Sequence, residues 1–201
     1  MPTGSAHPPH MDVLPQDYAA RLLEDRGPST FRRVFGDQIS RSSVAETAIL
    51  RIRLGGVDLS HTEVANLTNL RVLVAEVNAR TVEEEAYAMV VDPLKRENLE
   101  RVLVLLQKGV LEIRSAPLGD WSPDFTVFSR AGQPWRLLLG LHVFYQPPPH
   151  RGPAWGVLLG PREANRARQR FRELWCQAHD IGDTIRQLME FPAARGPTQS
   201  R

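Results

Sequence analysis

Apolar residues recur along this chain in two rhythms, and the switches between them mark its elements. Ile49, Leu50, Ile52 and Leu54 alternate in part with Arg51 and Arg53, which predicts a strand over 44–54 that Gly55-Gly56 ends. Leu70-Arg-Val-Leu-Val-Ala-Glu-Val77 is a nearly continuous apolar run of strand length, the kind that belongs in a sheet covered on both faces. Helical spacing appears between and before these runs. A short helix is expected over Gln16 to Glu24. A second opens at Pro28-Ser29 and sets Phe31, Val34, Phe35 and Ile39 on one face. Pro93 suits the first turn of a helix running to Lys108, and Gly109 suits its end.

Strand patterns dominate the next stretch. They cover 110–116, 125–128, 136–139 and 154–159, separated by Gly119-Asp120, Ala131-Gly132 and the rigid Pro147-Pro-Pro149. The last helix starts at Pro161 and carries one stripe of Ala164, Ala167, Phe171, Leu174, Trp175 and Ala178. Gly182 is read as its end, and Asp183 as the cap of a final short helix through Met189. Strands linked first by a helix and later by short turns imply a mixed sheet. The expectation is one α/β domain over 15–190, a mixed sheet flanked by helices on both faces. The Pro- and His-rich residues 1–14 and the residues 191–201 are read as disordered tails.

Composition narrows the class. With 42% hydrophobic and 24% charged residues, the chain reads as an ordinary globular protein. No run approaches the roughly 20 apolar residues of a membrane helix, and the start lacks the pattern of a secretion signal. A single cysteine, Cys176, excludes an intrachain disulfide framework, and the expected location is the cytoplasm without a membrane partner. The net charge of +2 does not by itself imply nucleic acid, but the basic residues are almost all arginine, with Lys95 and Lys108 the only lysines. Arginine forms bidentate contacts to phosphate that lysine cannot. On the last helix Arg162, Arg166 and Arg170 fall on one flank, and Arg168 and Arg172 on the other. The first set is the candidate nucleic-acid contact, through backbone phosphates of DNA or RNA. Interleaved Glu163 and Glu173 also suit a solvated amphipathic helix.

The progression Arg101-Val-Leu-Val-Leu-Leu-Gln-Lys-Gly-Val-Leu-Glu-Ile-Arg114, Ser122-Pro-Asp-Phe-Thr-Val-Phe128, Trp135-Arg-Leu-Leu-Leu-Gly-Leu-His142, Trp155-Gly-Val-Leu-Leu159 and Phe171-Arg-Glu-Leu-Trp175 resembles the core of the phospholipase D-like superfamily. The resemblance spans roughly 30–180 and implies a fold like one half of such a protein. Active members use a histidine that attacks phosphorus and a lysine two residues later, on the strand after a Gly-x-x-x-x-Arg strand. The corresponding segment here is Ser122-Pro123-Asp124-Phe125, and no His-x-Lys occurs in the chain. Asp124 carries a charge that repels phosphate. The resemblance therefore implies a degenerate member, a non-catalytic module binding nucleic-acid backbone or a protein partner such as a helicase or nuclease. Active members pair two halves, so a single copy would homodimerise to rebuild that arrangement.

The alternative is a phosphodiesterase or nuclease with a rearranged site built on His142, His150 and Asp124. Arg151, beside His150 and Gly152, and Arg114, which closes the Gly109-to-Arg114 strand, are the candidate phosphate ligands. No cofactor is expected, and no metal. Cys176 and His179 have a zinc-compatible spacing without a second pair, so Cys176 is read as a buried structural residue.

Overall fold

β-branched and leucine-rich runs assemble here into one mixed sheet. The structure, a computed structural model, describes residues 20–25, 35–51, 67–76, 92–116, 124–140 and 154–187. In chain order the strands are β1 (Arg21–Asp25), β2 (Val44–Arg51), β3 (Asn69–Glu76), β4 (Leu111–Ser115), β5 (Phe125–Arg130), β6 (Gln133–Leu139), β7 (Ala154–Leu159) and β8 (His179–Asp180). Helix α1 (Pro93–Gln107) lies between β3 and β4, and α2 (Pro161–Gln177) between β7 and β8. The spatial order is β1-β7-β6-β5-β2-β3-β4-β8. β2, β3 and β4 are parallel; every other pairing is antiparallel.

The parallel block is where the apolar runs sit. Leu70, Val72, Leu73 and Val74 of β3 are all fully buried, as a strand covered on both faces requires. Alternation along the strands sorts the two faces. On one, Ala48, Leu73, Phe125, Val127 and Leu137 pack against Ala164, Phe171, Leu174 and Trp175 of α2. On the other, Phe128 meets Phe35 edge-on at 5.5 Å between ring centroids, so the helical residues 35–40 cover that side. The chain is thus a single α/β domain with helices on both faces of its sheet. The expected strands over 110–116, 125–128, 136–139 and 154–159 and the helix from Pro93 are all present, within a few residues.

Five local expectations need correction. The helix expected over Gln16 to Glu24 is contradicted where the structure describes it, because Arg21–Asp25 is a strand laid antiparallel on β7. Five residues give too little periodicity to decide between helix and strand, and the open ladder of β7 decides it. The β5–β6 hairpin runs farther than 125–128 and 136–139. Its two turn residues, Ala131 and Gly132, have φ of 49° and 78°, the type I′ geometry that continues the strands' twist. Helix α2 stops at Gln177, before Gly182, and Ala178 turns extended so that β8 can pair with β4. The following helical turn, 182–187, is started by Asp180, whose carboxylate accepts the Gly182 N–H at 2.8 Å, while Asp183 pairs with Arg186. Finally, Cys176 is exposed, because it lies off the buried stripe even though its neighbour Trp175 is on it.

Candidate nucleic-acid interface

Five arginines and two glutamates lie on α2, and the stripe of Ala164, Phe171, Leu174 and Trp175 decides where each can point. At about 100° per residue, Arg168 falls at the border of that stripe and the others fall outside it. Arg168 accordingly keeps only 15% of its side chain exposed and sends its Nε to within 3.1 Å of Glu46 Oε2. Its Nη1 donates to the carbonyl of Gly132 in the hairpin turn at 2.8 Å. One side chain therefore ties α2 to both the middle of the sheet and the β5–β6 turn.

Glu46 is a carboxylate on the central strand β2 with no solvent exposure. Burying such a charge is tolerated only with charge partners nearby. Arg71 from β3 approaches it at 3.7 Å and also reaches Glu112 on β4 at 3.5 Å, while Asn69 Nδ2 donates to Glu112 at 2.6 Å. Neither Glu46 oxygen has a well-aligned hydrogen bond, so the contact is Coulombic in character. Alongside, Trp175 stacks on Phe171 at 5.4 Å and takes the Arg114 guanidinium on its ring at 4.5 Å and that of Arg71 at 5.7 Å. Arginine stems and rings thus pin the helix to the sheet.

Beyond this clamp, α2 and the hairpin turn enclose an open cleft of about 820 Å³. Arg166, Arg168, Gln169 and Arg172 line its helix side, and Gln133 and Pro134 its strand side. Arg166 and Arg172 are exposed and make no ion pair among the described residues. Arg170 is 3.4 Å from Glu173. Glu173 and Cys176 complete the rim, leaving arginine and amide donors in excess over carboxylates. Such a donor set suits a phosphate-bearing polymer.

Of the residues singled out from sequence for a rearranged site, Asp124 and Arg114 are described, and these two stand apart. Asp124 stands at the start of β5, where its carboxylate accepts the Leu50 N–H at 2.7 Å and its carbonyl accepts the Gly140 N–H at 2.8 Å. It tethers three strands at the carboxyl end of β2. Arg114, Leu73, Ala48 and Phe125 lie in one row across β4, β3, β2 and β5. Three strand spacings put Arg114 about 14 Å from Asp124's end of that row. The Arg114 side chain is turned to the end of α2, donating to the Trp175 carbonyl at 3.2 Å. His142, His150 and Arg151 lie outside the described residues. Arg162 and Arg166 are exposed on α2, with Arg170 partly covered. Cys176 and His179 are separated by the end of α2, with His179 in β8, so they do not share one helical turn.

The sequence does not single out Glu46, because a lone glutamate in Val44-Ala-Glu-Thr-Ala-Ile49 looks like the polar phase of a half-exposed strand. The available signal was an arginine at the edge of the last helix's apolar stripe, which needs a counter-charge once packed.

No protein-family model and no curated protein sequence matches the chain. Solved structures do match, at low sequence identity. One is Nuc, a phospholipase D family member from Salmonella typhimurium, with a TM-score of 0.49 and 8% identity over 81% of this chain and 98% of that one. Another is TrmBL2, an archaeal chromatin protein whose structure is described as showing a novel mode of DNA binding. There the TM-score is 0.47 and the identity 13%, over 80% of this chain and 55% of that one.

Proposed function

We propose that the domain binds nucleic-acid backbone, without catalysis, on the arginine face of α2 beside the β5–β6 turn. The observation that carries this reading is the pairing state of the arginines. Arg168 is consumed by Glu46, whereas Arg166 and Arg172 stand exposed in the cleft without an ion-pair partner among the described residues. Guanidinium groups in that state exchange water and counterions for phosphate oxygens, a contact that carries no base sequence. The absence of His-x-Lys from the chain supports a binding role over phosphodiester cleavage. So does the engagement of the Asp124 carboxylate by a backbone N–H.

The test is fluorescence anisotropy with labelled random-sequence DNA across a salt titration. Log K is expected to fall linearly with log salt, and Arg166→Ala with Arg172→Ala to reduce the slope by about two. Arg96→Ala, on α1 and paired with Glu100 at 3.3 Å, removes one such charge elsewhere and is expected to leave the slope unchanged. Binding that ignores salt, or that falls equally with Arg96→Ala, overturns the proposal. Turnover of an aryl phosphodiester that disappears in His142→Ala or His150→Ala would establish the catalytic alternative instead.

A further inference from the structure

We infer that the nucleic-acid face continues across the β5–β6 turn onto a second arginine pair, Arg41 and Arg130, so that phosphates are held on both flanks of the hairpin; the inference rests on the backbone-binding role proposed above. Alternation along β5 sorts its side chains. Val127 packs with α2, and Phe128 meets Phe35 of the helical residues 35–40. Arg130, two residues after Phe128, therefore leaves the strand on the side away from α2. Its partner across the hairpin is Gln133, which lines the strand side of the cleft, so the Arg130 backbone runs about 5 Å from that wall. The turn between them presents only Ala131 and Gly132, both exposed, and the space where a Gly132 Cβ would stand is open. Nothing larger than a methyl group stands on the turn itself.

Arg41 is brought to the same flank by two bonds that fasten its segment to the hairpin. The Ser43 N–H donates to the Ser129 carbonyl at 2.9 Å. A bulge between the Phe128–Arg136 and Ser129–Pro134 pairs makes Trp135 the extra residue, and its Nε1–H donates to Ser42 Oγ at 3.1 Å. Arg41 immediately precedes these serines and is exposed, as is Arg130. Neither makes an ion pair among the described residues, whereas Arg71, Arg96, Arg168 and Arg186 each lie against a carboxylate. Arg136 adds a third positive charge on this flank, with its guanidinium 5.3 Å from the Trp135 ring, and Asp37 is the one acidic residue of the helical segment 35–40. Guanidinium groups in excess of carboxylates suit phosphate on this flank as they do in the cleft. Between the two flanks, the Arg168 bond to the Gly132 carbonyl fixes the turn. Both arginine pairs are thus held in place before a ligand arrives, which reduces the ordering that binding requires.

The experiment repeats the salt titration on the whole chain with the same labelled random-sequence DNA. Arg41→Ala and Arg130→Ala are each expected to reduce the slope of log K against log salt by about one, and the double variant by about two. Arg130→Lys keeps the charge and is expected to keep the slope, with circular dichroism confirming that all variants stay folded. A slope unchanged in the double variant, or lost equally in Arg130→Lys, overturns this inference while leaving the contacts of Arg166 and Arg172 standing. Failure of the parent chain to bind overturns both.

Discussion

Arg114 and Trp175 are joined twice: the guanidinium lies 4.5 Å from the ring centroid, and its Nη1 donates to the Trp175 carbonyl at 3.2 Å. That carbonyl belongs to the last turn of α2, where aligned peptide dipoles leave partial negative charge. A cation from β4 therefore serves as the terminal counter-charge of a helix that has no basic residue in its own last turn. Arg114→Ala should lower the unfolding free energy by about 1–3 kcal/mol, measured by urea denaturation. Arg114→Lys should recover only part of it, because an ammonium cannot lie flat on the ring. A variant as stable as the parent would show the contact to be incidental.

Glu46 should be the least replaceable charged residue of the sheet. Removing one partner of a buried pair strands the other, so Glu46→Ala is expected to cost about 3–5 kcal/mol. Arg168→Ala should be costly too, but the double variant should cost clearly less than the sum. A double-mutant cycle in urea measures the coupling, and strict additivity would refute it.

Asp124 is expected to act on stability and not on the arginine face. Asp124→Ala removes a charged acceptor from the Leu50 N–H and should cost about 1.5–3 kcal/mol. Asp124→Asn, which keeps an acceptor oxygen, should lose less. DNA affinity measured well below the unfolding transition should stay unchanged in both; a specific loss of binding would bring Asp124 into the ligand site.

The hairpin turn can be improved. Ala131 holds a φ of 49°, which an alanine adopts at a cost and an asparagine tolerates. Ala131→Asn would create Asn-Gly, the preferred pair for this turn, and should raise stability by about 0.5–1 kcal/mol with an upward shift in Tm. Gly132→Ala tests the converse. A Cβ there meets no atom within 4 Å, yet the φ of 78° should still make the change destabilising by about 1 kcal/mol. Equal thermal stability of both variants would contradict the backbone argument.

Architecture was legible in the sequence wherever burial imposes a rhythm over enough residues. The run from Leu70 to Val77 announced a sheet interior, and the stripe from Ala164 to Ala178 announced the long helix on it. Arg21–Asp25 and His179–Asp180 were not legible, because such short strands are decided by a partner strand distant in sequence. The site divided along the same line. Arginines could be counted along α2, but which of them remain available depends on Glu46, far away on β2, and on the turn at Gly132. Arg168 and Arg172 look equivalent in sequence as one flank of the helix. In the fold one is an internal strut and the other a surface donor.

The position of β1 also sets a schedule. Its partner β7 follows it by roughly 130 residues, so at about 5–20 residues per second a ribosome needs on the order of ten seconds to supply that partner. The parallel core of β2, β3 and β4 can be complete in sequence well before then. During synthesis, this earliest of the described strands must wait with its backbone groups in water, and it docks on the sheet among the last.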